Sequence, residues 1–236
     1  MIKRNDWMWI QYKPCEMFMP ELSQSTLTRL LYLATFTDNN GVVVRYDDEY
    51  GIKYRVKKSE LPSLLKVTPR VFKDFVIELK KIGVLIADKN GCELKTNMLF
   101  NSRTKEHKVT DCKLAHINKS TIRVLYEQVE VQDHKRLGAL FRMISFAHPK
   151  TNMLCVNPFT EYDDDIEPLS FKDYCVLIGY ERDHTDRIYH YFDKLILAPK
   201  TGEECCPLEY SANKKQVYVS PLLFTTNLKD TKEEIV

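Results

Sequence analysis

The chain has 236 residues, the size of one large domain or two small ones. Its content of 44% hydrophobic and 29% charged residues is that of a globular protein and excludes intrinsic disorder. Net charge is only +2, but residues 1–110 carry 19 Lys and Arg against 13 Asp and Glu, and the remainder carries 16 against 20. A polyanionic partner would therefore meet the first half.

Only 7 glycines occur, which argues against glycine-rich nucleotide-binding folds. The longest apolar runs, Val84-Leu85-Ile86-Ala87 and Leu195-Ile196-Leu197-Ala198, are too short to span a bilayer. The N-terminus has no apolar stretch of signal-peptide length, so a cytoplasmic location with no membrane partner is expected. The seven cysteines (Cys15, Cys92, Cys112, Cys155, Cys175, Cys205 and Cys206) form no Cys-x-x-Cys pair and read as reduced thiols. No metal and no cofactor is expected.

Residues 7–12 are strand-like, with Trp7 and Trp9 on one side, where core or dimer contacts suit them better than base stacking. Residues 25–36 predict a helix, with Leu27, Leu30, Leu31 and Ala34 at helical spacing. Asn39-Asn40-Gly41 ends it, and Val42-Val43-Val44 is a strand. Residues 58–65 predict a short helix, with Ser59 as its N-cap and Pro62 in its first turn. Thr68 then caps a long helix that has Pro69 in its first position and Gly83 just past its end. Phe72, Phe75, Leu79 and Ile82 form its buried stripe. Residues 84–87 and 92–100 predict a hairpin closed by Asp88-Lys89-Asn90-Gly91.

The order returns about 110 residues later. Residues 121–126 are strand-like, and residues 133–146 match the first helix through Leu137, Leu140 and Phe141. Residues 171–178 match the short helix, Gly179-Tyr180 the turn, and residues 183–195 the third helix, with Ile188, Tyr191 or Phe192, and Leu195 inward. Residues 195–198 are expected to pair with residues 216–223 across a long loop, 199–215. The fold class is therefore α+β, mainly helical, as two tandem winged-helix units. The divisions are 1–105 for the first domain, 106–118 for a polar linker, 119–227 for the second domain and 228–236 for a charged tail.

Leu64-Leu65-Lys66-Val67-Thr68 and Lys81-Ile82-Gly83-Val84-Leu85 resemble the helix-turn-helix of bacterial winged-helix proteins. Two such units in one chain of this length resemble the replication initiators of theta-replicating plasmids and related phage proteins. In the second copy, Ile178-Gly179-Tyr180-Glu181 replaces the Val-Thr step and no glycine follows Leu195. The resemblance implies that the third helix enters the major groove of double-stranded DNA while the hairpin touches backbone. It places Thr68, Arg70, Lys73 and Ile77 in the groove, with Arg70 able to hold guanine bidentately and Lys66 and Lys73 on phosphates. Lys89, Asn90 and Lys95 are the hairpin candidates. Arg182, His184 and Arg187 are secondary ones, because acidic residues interleave with them.

A simpler reading of Arg70, Lys73, Lys80 and Lys81 is the solvated face of an amphipathic helix. The acidic run Asp163-Asp164-Asp165 reads as a solvated loop before it reads as a cation site. Catalysis finds no support: nicking chemistry lacks a paired-histidine motif, a phosphate-binding Gly-x-x-x-x-Gly-Lys loop is absent, and so is Gly-x-Ser-x-Gly. The expected protein is not an enzyme. Replication initiation, with host replication proteins and a second copy of the chain as further candidate partners, stands beside transcriptional regulation and protein adaptation.

Overall fold

The structure, a computed structural model, describes residues 7–11, 22–46, 52–88, 91–94, 99–100, 114–197, 205–211 and 215–226. Helix α1 (Gln24–Ala34) starts at Ser23, whose hydroxyl accepts the Thr26 N–H, so one of the helix's orphan donors is satisfied. Leu27, Leu30, Leu31 and Ala34 are buried as the spacing requires, but so are Thr28 and Arg29 on other faces. A helix covered on more than one side lies at the centre of its fold.

What covers α1 is α5 (His134–Arg142), the corresponding helix of the second half. The two approach so closely at Gly138 that a Cβ there would lie 1.9 Å from the Gln24 carbonyl oxygen. Thr28 Oγ1 donates to the His134 carbonyl at 2.8 Å, and Arg142 Nη2 donates to the Leu22 carbonyl at 2.6 Å. Buried residues of both halves form one continuous cluster around this crossing.

After α1 the chain makes a tight turn, passes through β2 (Val44–Tyr46) and β3 (Lys53–Arg55), and enters a 3₁₀ turn at Lys58–Glu60. Helices α2 (Leu61–Leu64) and α3 (Pro69–Lys81) follow, then β4 (Leu85–Asp88) paired with β5 (Gly91–Leu94). Ser59 is not the expected cap. The Glu60 carboxylate instead accepts the Lys57 N–H at 2.7 Å. Thr68 does cap α3, accepting the Val71 N–H, and Gly83 takes the left-handed conformation, φ +68°, that ends it.

The second half repeats several backbone hydrogen bonds of the first. Val44 N–H bonds to Phe36 O at 2.9 Å, and Cys155 N–H to Phe146 O at 2.9 Å. Leu94 N–H bonds to Gly41 O and Val219 N–H to Asn152 O, with Gly41 and Asn152 both at positive φ. Val67 N–H closes on Pro62 O, and Tyr180 N–H on Cys175 O. α6 (Phe171–Leu177) and α7 (Thr185–Phe192) thus stand where α2 and α3 stand, and β8 (Leu208–Tyr210) with β9 (Val217–Val219) where β4 and β5 stand.

Three expectations change. Among the described residues, 195–197 do not pair with β9; β8 does, from within the expected loop. A hairpin closed by the Ser211 and Gln216 hydrogen bonds spans fewer residues than the loop from 199 to 215, and so orders less chain. Residues 121–126 are not a strand but lie in α4 (Lys119–Gln128), capped by Asn118 with Ile122, Leu125 and Tyr126 inward at helical spacing. The end of the expected linker is β7 (Leu114–Asn118), paired along its length with β1 (Trp7–Gln11). β6 (Leu99–Phe100) and β10 (Phe224–Thr225) complete an antiparallel sheet in the order β10-β7-β1-β6. The two repeats therefore share a sheet as well as a core. The alternation that builds β7, with Ala115 and Ile117 inward, sits after a polar run and is only one strand long.

Candidate nucleic-acid interface

α3 owes its orientation to its inner face, where Phe72, Phe75, Val76 and Leu79 are buried. Ile82, expected in the same stripe, is half-buried at the helix end. The outer face presents Arg70, Lys73, Asp74, Ile77, Lys80 and Lys81. Ile77 is 45% exposed, an apolar side chain held in water between cations. Arg70, Lys73 and Ile77 thus share one outward stripe, one turn of helix apart. Asp74 interrupts its charge; sequence reading passed over it, although its place beside Lys73 was plain.

Thr68 is exposed but its hydroxyl is engaged as the helix cap, so it can offer a phosphate its side chain only as a donor. Lys66 lies in the turn between α2 and α3 in a left-handed conformation, φ +52°, which strains a residue with a Cβ. Its ammonium pairs with the Glu127 carboxylate of α4. Partial burial opposes ionisation of Glu127, but hydrogen bonds from Lys66 and Tyr32 outweigh it and hold the carboxyl below its ordinary range. Lys66 therefore ties the turn before α3 to α4.

The same α4 braces the turn from behind. Tyr126 stacks on Tyr32 with ring centroids 3.7 Å apart and donates its hydroxyl to the Leu65 carbonyl at 2.6 Å. Burial pushes the Tyr126 phenol far above its usual range, so it remains a donor at any physiological pH. Lys89, Asn90 and Lys95 lie outside the described residues.

In the second repeat, the Val67–Tyr180 correspondence places Asp183, Asp186, His190 and Asp193 where the first repeat has Arg70, Lys73, Ile77 and Lys80. Arg182, His184 and Arg187 are exposed beside this acidic face. Arg182 lies 3.9 Å from Asp173 and His184 lies 3.5 Å from Glu181. The interleaving of acids was legible in the sequence; the position-by-position reversal needed the hydrogen-bond register.

Among the described residues no group of His, Cys, Asp and Glu could hold a metal ion. Among them, too, no helix is long and apolar enough to cross a membrane. Cys92, Cys155 and Cys175 are buried free thiols, each pushed up by burial, to about 11, 11 and 12. No protein-family model matches the chain, and neither a curated protein nor a solved structure is similar to it.

Proposed function

We propose that the protein is a non-enzymatic, sequence-specific binder of double-stranded DNA, built from two tandem winged-helix units. Its role in this reading is replication initiation or maintenance of a plasmid or phage. The observation that carries the proposal is the outer stripe of α3. Arg70 stands in the first turn, where a reading helix meets base edges, and Lys73 and Lys80 follow on the same side. The helix is fixed by a buried inner face and by the bonded turn before it, so the stripe is presented without reorganisation on binding. Transcriptional regulation would use the same contacts and differ only in the DNA site. The protein-adaptor reading is favoured by one feature, the acidic counterpart face on α7, and it applies to the second unit.

Titration of the protein against DNA flanking its own gene, at two salt concentrations, tests the reading. Arg70→Ala is expected to weaken specific binding by about 1–3 kcal/mol and to relax preference at one base pair. Arg187→Ala is expected to do less, because acidic neighbours compete for its charge. Binding that is insensitive to salt, or a costly Arg187 with a silent Arg70, overturns the assignment.

A further inference from the structure

A groove of about 570 Å³ lies where the C-terminal end of α4 meets the 3₁₀ turn Val131–Asp133 and the first residue of α5. Tyr126, Val129 and Val131 make its wall mainly apolar, and the exposed Glu130 and Gln132 stand at its mouth. Val131 is 36% exposed, an apolar side chain left in water there. The volume, and the pairing of apolar walls with few polar groups, are those of a small-molecule site.

His134 is the buried polar group of this lining, 1% exposed. Arg29 Nε donates to His134 Nδ1 at 3.3 Å. A guanidinium can only donate, so Nδ1 is the accepting nitrogen and the ring proton sits on Nε2. Burial and the Arg29 charge push the imidazole down to about 4, so at neutral pH this is the uncharged tautomer. The Nε2–H group has no hydrogen-bond partner among the described residues. It is not one of the polar atoms sealed from solvent, so it opens on the groove. Arg29, itself buried, polarises the ring from behind and strengthens Nε2–H as a donor.

The charges at the mouth are balanced. Lys66 is paired with Glu127, and the Glu130 carboxylate accepts the Gln132 side-chain amide at 2.8 Å. An anion would meet Glu130 and, among the described lining residues, no unpaired cation. A cation would face a donor backed by the Arg29 charge. What remains complementary is an uncharged molecule with one acceptor.

We propose that this groove binds a small, uncharged, mainly apolar molecule through one carbonyl oxygen, which accepts the His134 Nε2–H. Tyr126, Val129 and Val131 enclose the apolar body of the ligand. Tyr126 also donates its hydroxyl to the Leu65 carbonyl, so the ligand lies against the residue that braces the turn before α3. The proposal does not depend on DNA reading by α3.

The test is an amide chemical-shift titration of the full chain with acetophenone, ethylbenzene and benzoate. Ethylbenzene keeps the apolar body without an acceptor, and benzoate adds a charge to it. Acetophenone is expected to shift the amides of residues 129–134 saturably and to bind about tenfold more tightly than either. His134→Phe keeps a ring of similar shape and removes both nitrogens, so acetophenone should fall to the affinity of ethylbenzene. That variant strips Arg29 of its partner; if it does not fold, Val131→Trp decides, because it fills the groove from an exposed position. Val131→Trp is expected to weaken acetophenone about tenfold, as loss of the apolar contact and its hydrogen bond requires. Val156→Trp adds the same ring at a position 61% exposed elsewhere and is expected to leave binding unchanged. The proposal is overturned if acetophenone does not bind, or binds no more tightly than ethylbenzene. It is equally overturned if benzoate binds more tightly than acetophenone, or if acetophenone binding survives intact in Val131→Trp.

Discussion

Gly138→Ala sets two physical effects of opposite sign against each other. Inside an isolated helix, Ala is favoured over Gly by about 1 kcal/mol, so local propensity makes this change stabilising. The crossing of α1 and α5 opposes it. The added Cβ would lie 1.9 Å from the Gln24 carbonyl oxygen and 2.4 Å from its carbon, and backbone has no rotamer by which to retreat. α5 must withdraw by an ångström or more. That stretches the 2.8 Å bond from Thr28 to the His134 carbonyl and the 3.3 Å bond from Arg29 Nε to His134 Nδ1, both buried. Overpacking costs about 1–3 kcal/mol, and a weakened buried hydrogen bond adds about 1 kcal/mol or more. The expected outcome is a net loss of about 2–4 kcal/mol, read from urea unfolding as a lower midpoint at unchanged slope. A Gly138→Ala protein as stable as the parent would refute the close crossing, and with it the account of how the two repeats are joined.

Phe75→Ala should cost about 3–5 kcal/mol in the same assay, because the ring is 1% exposed and its removal leaves a cavity. A loss below about 1 kcal/mol would put the phase of α3, and the outward stripe, in error. Burial and the neighbouring Arg29 guanidinium push the His134 imidazole down to about 4, from about 6.5 for an exposed histidine. The unfolded chain therefore takes up this proton first on acidification. Stability is complete above pH about 6.5 and declines by up to about 1.4 kcal/mol per pH unit toward pH about 4. His134→Gln should lose this part of the pH dependence, and a parallel dependence in both proteins would show that His134 does not supply it.

The inner face of α3 was legible in the sequence because helical spacing, cap, proline and glycine agree over one short stretch. Thr68, Pro69, Phe72, Phe75, Leu79 and Gly83 all sit where local rules put them. What escaped was non-local. Nothing in residues 101–118 announces that Ala115 and Ile117 complete a sheet begun at Met8 and Ile10, because strand pairing is decided by partners far away in the chain. The hairpin of β2 and β3 was hidden for a related reason. Its described residues from Arg45 on, 45–46 and 52–55, are exposed, so no buried face there imposes an alternation to be read. The pairing of Lys66 with Glu127 escaped because the two residues lie 61 apart in the chain.

One scaffold carrying faces of opposite charge bears on both readings of this protein. The Arg70–Asp183 and Lys73–Asp186 correspondences follow from the same turn bonds and the same buried positions: Phe75 with Ile188, and Leu79 with Phe192. Packing therefore does not dictate the outer charges, since either set is compatible with the same core. A duplex laid on α7 as on α3 would meet Asp183, Asp186 and Asp193, and like-charge contact with phosphates opposes association. In the proposed DNA-binding reading, the acidic face would keep α7 off the DNA backbone while leaving it open to a basic protein surface. Because the repeats share a sheet and a core, α7 is held in fixed geometry to α3, and in the proposed reading a partner on α7 would be so held relative to DNA on α3. That coupling, more than either face alone, distinguishes this arrangement from two readers on a string.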